Sequence, residues 1–277
     1  MYSPRVPLPR LHLFEFNDSS WAPRALRDTV IEALSRTLAW GNILRGLVGP
    51  FGRFLDATGA TEVLDLCAGA GGPAAILSRE LARARTTPPR FLLTDLQPQA
   101  EAWGRLRRAQ PHLIDFVPEP VDATRIPERL RGPARARVII NALHHFRPEL
   151  ARSILLGACE GSAGVFVAEG FERNPLRFAP FAAAGLPALY ATPLLSGRAR
   201  VSKAVCTYLL PLSLVASVWD GLVSTLRVYT EEELRRMVEP LGPTFRWEYG
   251  TYDFAPLGRG TYFYGVRLGT VAPARTA

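Results

Sequence analysis

The chain has 277 residues, 48% of them hydrophobic, and a formal net charge of +8. That length and composition suit one large α/β domain with additions and exclude a disordered chain. The positive charge is carried by Arg spread along the whole sequence, apart from the one lysine, Lys203, with no dense run and no basic segment interleaved with aromatics, so it argues poorly for nucleic acid.

Three cysteines, Cys67, Cys159 and Cys206, are widely spaced in apolar or small-residue contexts, which predicts reduced, buried thiols and neither a disulfide frame nor a zinc site. The opening MYSPRVPLPR lacks the apolar core of a signal peptide, so a cytoplasmic protein is expected. The uncharged run from Ala204 to Trp219 is short for a membrane span and is broken by Pro211. No transmembrane segment is expected, while contact with a membrane surface stays open.

In chain order, Met1–Asp18 is punctuated by prolines, with apolar alternation over Leu11–Asp18 that allows a short extended piece. Trp21–Ala57 reads as two or three helices divided at Gly41, Gly46, Gly49 and Pro50, with Asp18, Ser19 and Ser20 as N-cap candidates. Glu62–Gly72, EVLDLCAGAGG, then reads as buried strand and tight small-residue turn, followed by a helix over Pro73–Ala82. A turn without side chains lets backbone N–H groups approach a ligand, and ligands of open parallel sheets bind off the carboxyl ends of the strands. Gly69, Gly71 and Gly72 have neither dinucleotide nor P-loop spacing.

The pattern continues with a second strand, FLLTD (Phe91–Asp95), and a helix over Pro98–Gln110. A third strand falls at Leu113–Val117 and is followed by VDATRIP. Arg137–Leu143 is the fourth strand, ending in His144, His145 and Phe146; Pro148–Cys159 is a helix, and Gly164–Glu169 a fifth strand. Successive βα units at these intervals predict a right-handed doubly wound sheet. The alternation then breaks. Gly170–Tyr229 is an apolar insertion too long for a plain loop, so it should fold as helices over the carboxyl edge of the sheet. A helix over Glu231–Glu239 capped by Thr230 follows, then two β-rich segments, Thr244–Tyr252 and Gly260–Leu268, that read as an antiparallel hairpin.

Asp65, Gly69 and Gly71 with Cys67 at the first glycine position, Asp95, Asp122, the string NALHHF (Asn141–Phe146) and the terminal hairpin together resemble a class I S-adenosylmethionine-dependent methyltransferase of the small-molecule type, with a hydrophobic insertion before the sixth strand. The resemblance spans roughly Leu64–Leu268. It implies a Rossmann-like, mostly parallel seven-stranded sheet of order 3-2-1-4-5-7-6. It also implies N-terminal lid helices over residues 1–57 ahead of a cofactor-binding domain over 58–277, with the helical insertion at 170–229 completing the lid.

The same resemblance implies S-adenosylmethionine as cofactor, held by Asp65, Cys67, Ala68, Gly69 and Gly71 of the first turn and by Asp95 and Leu96 at the ribose. Asp122 and Ala123 would meet the adenine, and Asn141 would complete the set. A bland alternative exists for each acid: Asp95 or Asp122 could simply cap a helix. For the acceptor, His144 and His145 are general-base candidates because imidazole titrates near neutral pH. As neighbours at a strand end they are expected to point to opposite sides, so that one faces the pocket. Asp220 beside Trp219, and Glu15 between Phe14 and Phe16, could orient a substrate or hold a cation; otherwise they are a helix cap and a surface charge. No metal is expected.

The expected reaction is methyl transfer to a small, largely apolar or aromatic acceptor at oxygen, nitrogen or carbon, with a setting in secondary metabolism. Alternatives are a nucleic-acid or protein methyltransferase and a non-catalytic cofactor-binding partner protein. Nucleic acid is disfavoured because NALH stands where a [DNS]-P-P-[YFW] tetrad would be, and there is no Pro-Cys nucleophile.

Overall fold

The computed structural model describes residues 8–132, 134–255 and 257–268. Its single sheet has seven strands: β1 Glu62–Asp65, β2 Arg90–Leu93, β3 Ile114–Phe116, β4 Arg135–Ile140, β5 Gly164–Glu169, β6 Phe245–Phe254 and β7 Gly258–Arg267. The order is β3-β2-β1-β4-β5-β7-β6, as expected. Strands β1 to β5 run parallel, and β7 is antiparallel to both β5 and β6.

The apolar runs are buried on both faces, and alternation assigns each side chain to one of them. Val63, Val138, Phe166 and Ala168 pack into one cluster with Phe51, Phe54, Leu77, Leu81 and Trp103. Leu64, Ile139, Val165 and Val167 pack into the other with Ile154, Leu155, Leu234, Met237 and Phe263. The first cluster is covered by α2 (Val48–Thr58), α3 (Gly72–Ala84) and α4 (Ala100–Ala109), and the second by α5 (Pro148–Cys159) and α9 (Glu231–Val238). Thr230 caps α9 in a reciprocal box with Glu233.

Two N-terminal expectations change. Helix α1 (Arg24–Trp40) follows Pro23 with no side-chain cap, and Asp18 is engaged elsewhere. Gly41 does end α1, but Gly49 and Pro50 lie in the first turn of α2, where a missing N–H costs nothing. Moreover, α2 is no lid. Phe51 and Phe54 are fully buried, with the Phe51 ring 4.8 Å edge-on from Phe166 of β5. Only α1 and the segment before it join the insertion.

The insertion is helical, as expected: α6 (Pro175–Leu195), α7 (Arg200–Ala204), a π-helical turn Val205–Leu209, and α8 (Leu212–Arg227). Helices α1, α6 and α8 pack on one another, and α8 also touches the turn after β4. The sequence reading passed over a longer uncharged run than Ala204–Trp219, namely Phe178–Gly197. It lies mostly in α6, which has the length and composition of a membrane span, with about a third of its apolar window buried.

Candidate functional site

The first half of the site lies at the carboxyl ends of β1 and β2. After Asp65 the chain takes positive φ at Cys67 (61°), Gly69 (52°) and Gly71 (78°) before entering α3. Glycine suits this backbone and Cys67 tolerates it at a steric cost. A Cβ on Gly71 would come within 2.8 Å of Leu106 and 2.9 Å of Leu93, whereas one on Gly69 would meet nothing within 4 Å. The turn is therefore pressed on the core at one glycine and open at the other. Three bonds fix it: Ala68 N–H to Thr94 O (3.0 Å), Gly69 N–H to Asp95 Oδ2 (2.8 Å) and Trp103 Nε1–H to Gly69 O (2.9 Å). Burial, then the nearby Asp95, Asp65 and Asp122, push the Cys67 thiol up to about 12, so it stays protonated and unreactive.

The three acids differ in what they hold. Asp95 also accepts from Gln97 N–H (2.9 Å); it braces the glycine turn and does not cap α4, whose N-cap is Gln99. Asp122 is exposed, and its Oδ1 accepts from the N–H and hydroxyl of Thr124 (2.8 and 2.7 Å), which holds the group below the usual carboxylate range. Asp65 is buried and takes no hydrogen bond from any described side chain or backbone group; burial first and Asp95 second raise it well above the usual range. Leu96 is 63% exposed, Ala123 is buried beneath Asp122's turn, and Asn141 is drawn to a different task. Asn141 accepts from Gly170 N–H (2.6 Å) and its own N–H donates to Ala168 O, tying the ends of β4 and β5 together.

This donor set fits S-adenosylmethionine. A buried carboxyl without a partner, next to a second acid, suits a ligand that brings positive charge. The free space over Gly69 admits a ligand against backbone, and exposed Leu96 offers apolar surface for a flat base.

The second half lies at the ends of β4 and β5. Leu143–His145 form a 3-10 turn, so strand alternation does not apply, and the His144 and His145 rings stack with centroids 4.1 Å apart. The expectation that they point to opposite sides is corrected accordingly. His144 is buried; Glu169 Oε1 accepts its backbone N–H (3.0 Å), and Glu169 Oε2 lies 2.7 Å from its Nδ1. A carboxylate only accepts, so Nδ1 carries the proton in this contact. His145 Nδ1 lies 3.4 Å from Asp18 Oδ2 and 3.5 Å from Glu15 Oε2.

Glu15 is 1% exposed, which overturns its reading as a surface charge. It pairs with buried Arg227 of α8 (3.1 Å), which also holds Asp18 (3.0 Å). Burial raises the Glu15 carboxyl. Burial also opposes charge on Asp18, but His145 and Arg227 outweigh it and hold that carboxylate far below its ordinary value. Asp220 sits inside α8 and is no helix cap: its two oxygens accept the N–H groups of Phe16 (2.7 Å) and Asn17 (3.0 Å), clasping the N-terminal segment to the insertion. Glu15, His144 and His145 bring ligand atoms within 4.8 Å of one another, but the Arg227 guanidinium already supplies the cation there.

Between α1, α6 and α8 lies a cavity of about 80 Å³. Phe171, Phe178 and Phe181 form its apolar wall, and Asn17, Thr37, Ser217, Asp220 and Ser224 are its polar points; none of the described lining residues is basic. Phe171 follows directly on Gly170, which Asn141 holds, so the cavity begins beside the end of β4. Glu169 was missed in the sequence, although it ends an apolar strand in an acid as Asp65 and Asp95 do.

No protein-family model matches the chain, and no curated protein matches it. Three of the solved structures it resembles are described as methyltransferases. The methyltransferase domain of bacterial CtHen1 is 12% identical with a TM-score of 0.49, covering 81% of this chain and 99% of that one. A protein described as an O-methyltransferase, from Nostoc punctiforme, is 15% identical with a TM-score of 0.49, covering 92% and 63% respectively. Magnesium protoporphyrin IX methyltransferase from Synechocystis, solved with bound S-adenosylhomocysteine, is 13% identical with a TM-score of 0.45, covering 91% of each chain. At such identities the functional reading rests on the sheet order and the site itself.

Proposed function

We propose that the protein transfers a methyl group from S-adenosylmethionine to a small, largely apolar or aromatic acceptor. One observation carries this reading: a buried carboxyl without a described partner and an open glycine turn stand at the end of β1, in a 3-2-1-4-5-7-6 sheet, with an apolar cavity lined by Phe171, two residues past the end of β5. The cofactor, when bound, supplies an electrophilic methyl group on a sulfonium. Asp65 and Asp95 would offset its positive charge and hold its ribose, and Asp122 with Leu96 and Ala123 would hold its base. The cavity would exclude water and orient the acceptor, and much of the rate of such a displacement comes from positioning.

For an acceptor that must lose a proton, His144 Nε2 is the base, and Glu169 stabilises the imidazolium that results. Asp220 acts by holding Phe16 and Asn17 over the cavity. The lining without Arg or Lys favours a small molecule over nucleic acid, which needs a basic groove. Calorimetry tests the cofactor assignment. Asp95→Ala should weaken S-adenosylmethionine binding by about 1.5–3 kcal/mol, roughly 10- to 150-fold. Equal affinity in parent and variant would sink the ribose assignment, and no binding by the parent would sink the whole reading.

A further inference from the structure

The insertion ends in a tip made of the last turn of α6, α7, the π-helical turn and the first turns of α8, four elements packed on one another with an 81° bend between 200–209 and 212–227. Its outer side is apolar. Val201 (78%) and Leu209 (74%) are the most exposed, and Leu194, Leu195, Leu210 and Val215 are each about half exposed or more. These side chains are not free to turn inward. Lys203, the one lysine of the chain, is buried under α7 with its Nζ 2.5 Å from Glu32 Oε1 of α1 and 3.1 Å from Ser196 Oγ, which pins the tip to the lid.

Charge selects what covers this face. The sequence holds no Asp or Glu between Arg173 and Trp219, while Arg198 and Arg200 flank the apolar tip. Arg198 is largely exposed, and its one ion pair, with Glu101 at 3.3 Å, is a surface pair of little worth. A second copy of the chain would bring the same cations face to face. An anionic lipid surface would complement them. At the rim, Tyr190 and Tyr208 stack, half exposed, in the amphipathic position that aromatic side chains take at a bilayer interface.

We infer that the insertion tip seats on the surface of an anionic lipid bilayer. The protein lies on the membrane and does not cross it: α6, though long enough, carries Pro180, Pro187 and Pro193 and packs along α1 and α8, contacts that a span would strip away. The surface continues into the cavity. Leu186 at the cavity mouth, Tyr190 and Leu194 follow one another at four-residue spacing on α6, and Val218 and Val215 at three on α8. An apolar molecule dissolved in the lipid would thus meet the cavity without crossing water. The docking itself stands apart from the methyl-transfer reading.

The test is vesicle flotation with the whole chain and no cofactor, using phosphatidylcholine vesicles and vesicles of phosphatidylcholine mixed with phosphatidylglycerol. The parent should bind the anionic vesicles roughly tenfold more strongly and lose this preference at high salt. Val201→Asp with Leu209→Asp should abolish binding. Leu176→Asp should retain it: Leu176 is equally exposed but lies at the other end of α6, about 28 Å away. Circular dichroism checks that all variants fold. Binding that survives the double substitution, or that Leu176→Asp removes equally, overturns the proposal. So does a dimer in sedimentation that the double substitution dissociates, with no vesicle binding by the parent, because a second copy then covers the face.

Discussion

The two halves of the site are built in opposite ways. The half at the ends of β1 and β2 is the more local. Asp95 braces Gln97, two residues on, and Gly69, 26 residues back; Asp122 braces Thr124, two residues on; and Asp65 carries an electrostatic burden that no described neighbour relieves. The half at the ends of β4 and β5 is assembled across the chain. Arg227 reaches Asp18 over 209 residues and Asp220 reaches Phe16 over 204, and its buried charges are matched by partners. The first half leaves a charge unmatched by any described residue, and the second ties the N-terminal segment to α8 with charges of its own.

Substitutions should separate these roles. The largest effect is expected at Arg227. Arg227→Met leaves Glu15 buried without its partner and should cost about 3–5 kcal/mol in denaturant unfolding. Adding Glu15→Gln should recover a large part of that loss. If Arg227→Met alone costs less than about 1 kcal/mol, the cluster is not holding the N-terminal segment to α8 and the contrast fails.

A smaller effect of opposite sign is expected at Asp65. Because its folded-state pKa is raised, the folded chain binds a proton that the unfolded chain has released. Its contribution to stability is therefore full below the unfolded value, about 3.9, and is lost as pH rises through the folded value. Asp65→Asn should then stabilise the ligand-free protein by about 1–3 kcal/mol at neutral pH and by progressively less towards pH 4, while weakening cofactor binding. A variant less stable than the parent at neutral pH would show that Asp65 is structurally satisfied and would remove the main reason to place a cation beside it.

The same contrast explains what could be read from the sequence. Strand positions and the glycine turn were legible because each is signalled within a few residues, by an apolar run or a small-residue turn. Thr230 was legible for the same reason, while the strand order came from the resemblance. The histidine geometry was not, since a 3-10 turn replaced the end of the predicted strand once Asn141 took positive φ and clasped Gly170. Nor were the roles of Glu15, Asp18 and Asp220, because a carboxylate between aromatics reads alike whether its partner is water or an arginine 200 residues away. Helix α2 was misjudged because an amphipathic stripe does not say which surface it covers; Phe51 and Phe54 found the sheet.

The most direct test of the central claim, that these two halves form one reaction centre, is a crystal structure of the complex with S-adenosylhomocysteine. The account predicts the ribose at Asp95, the amino acid portion over Gly69 near Asp65, and the sulfur facing the cavity bounded by Phe171 and Ser224. A sulfur that faces away from that cavity, or toward a wide channel lined by arginines, would contradict it.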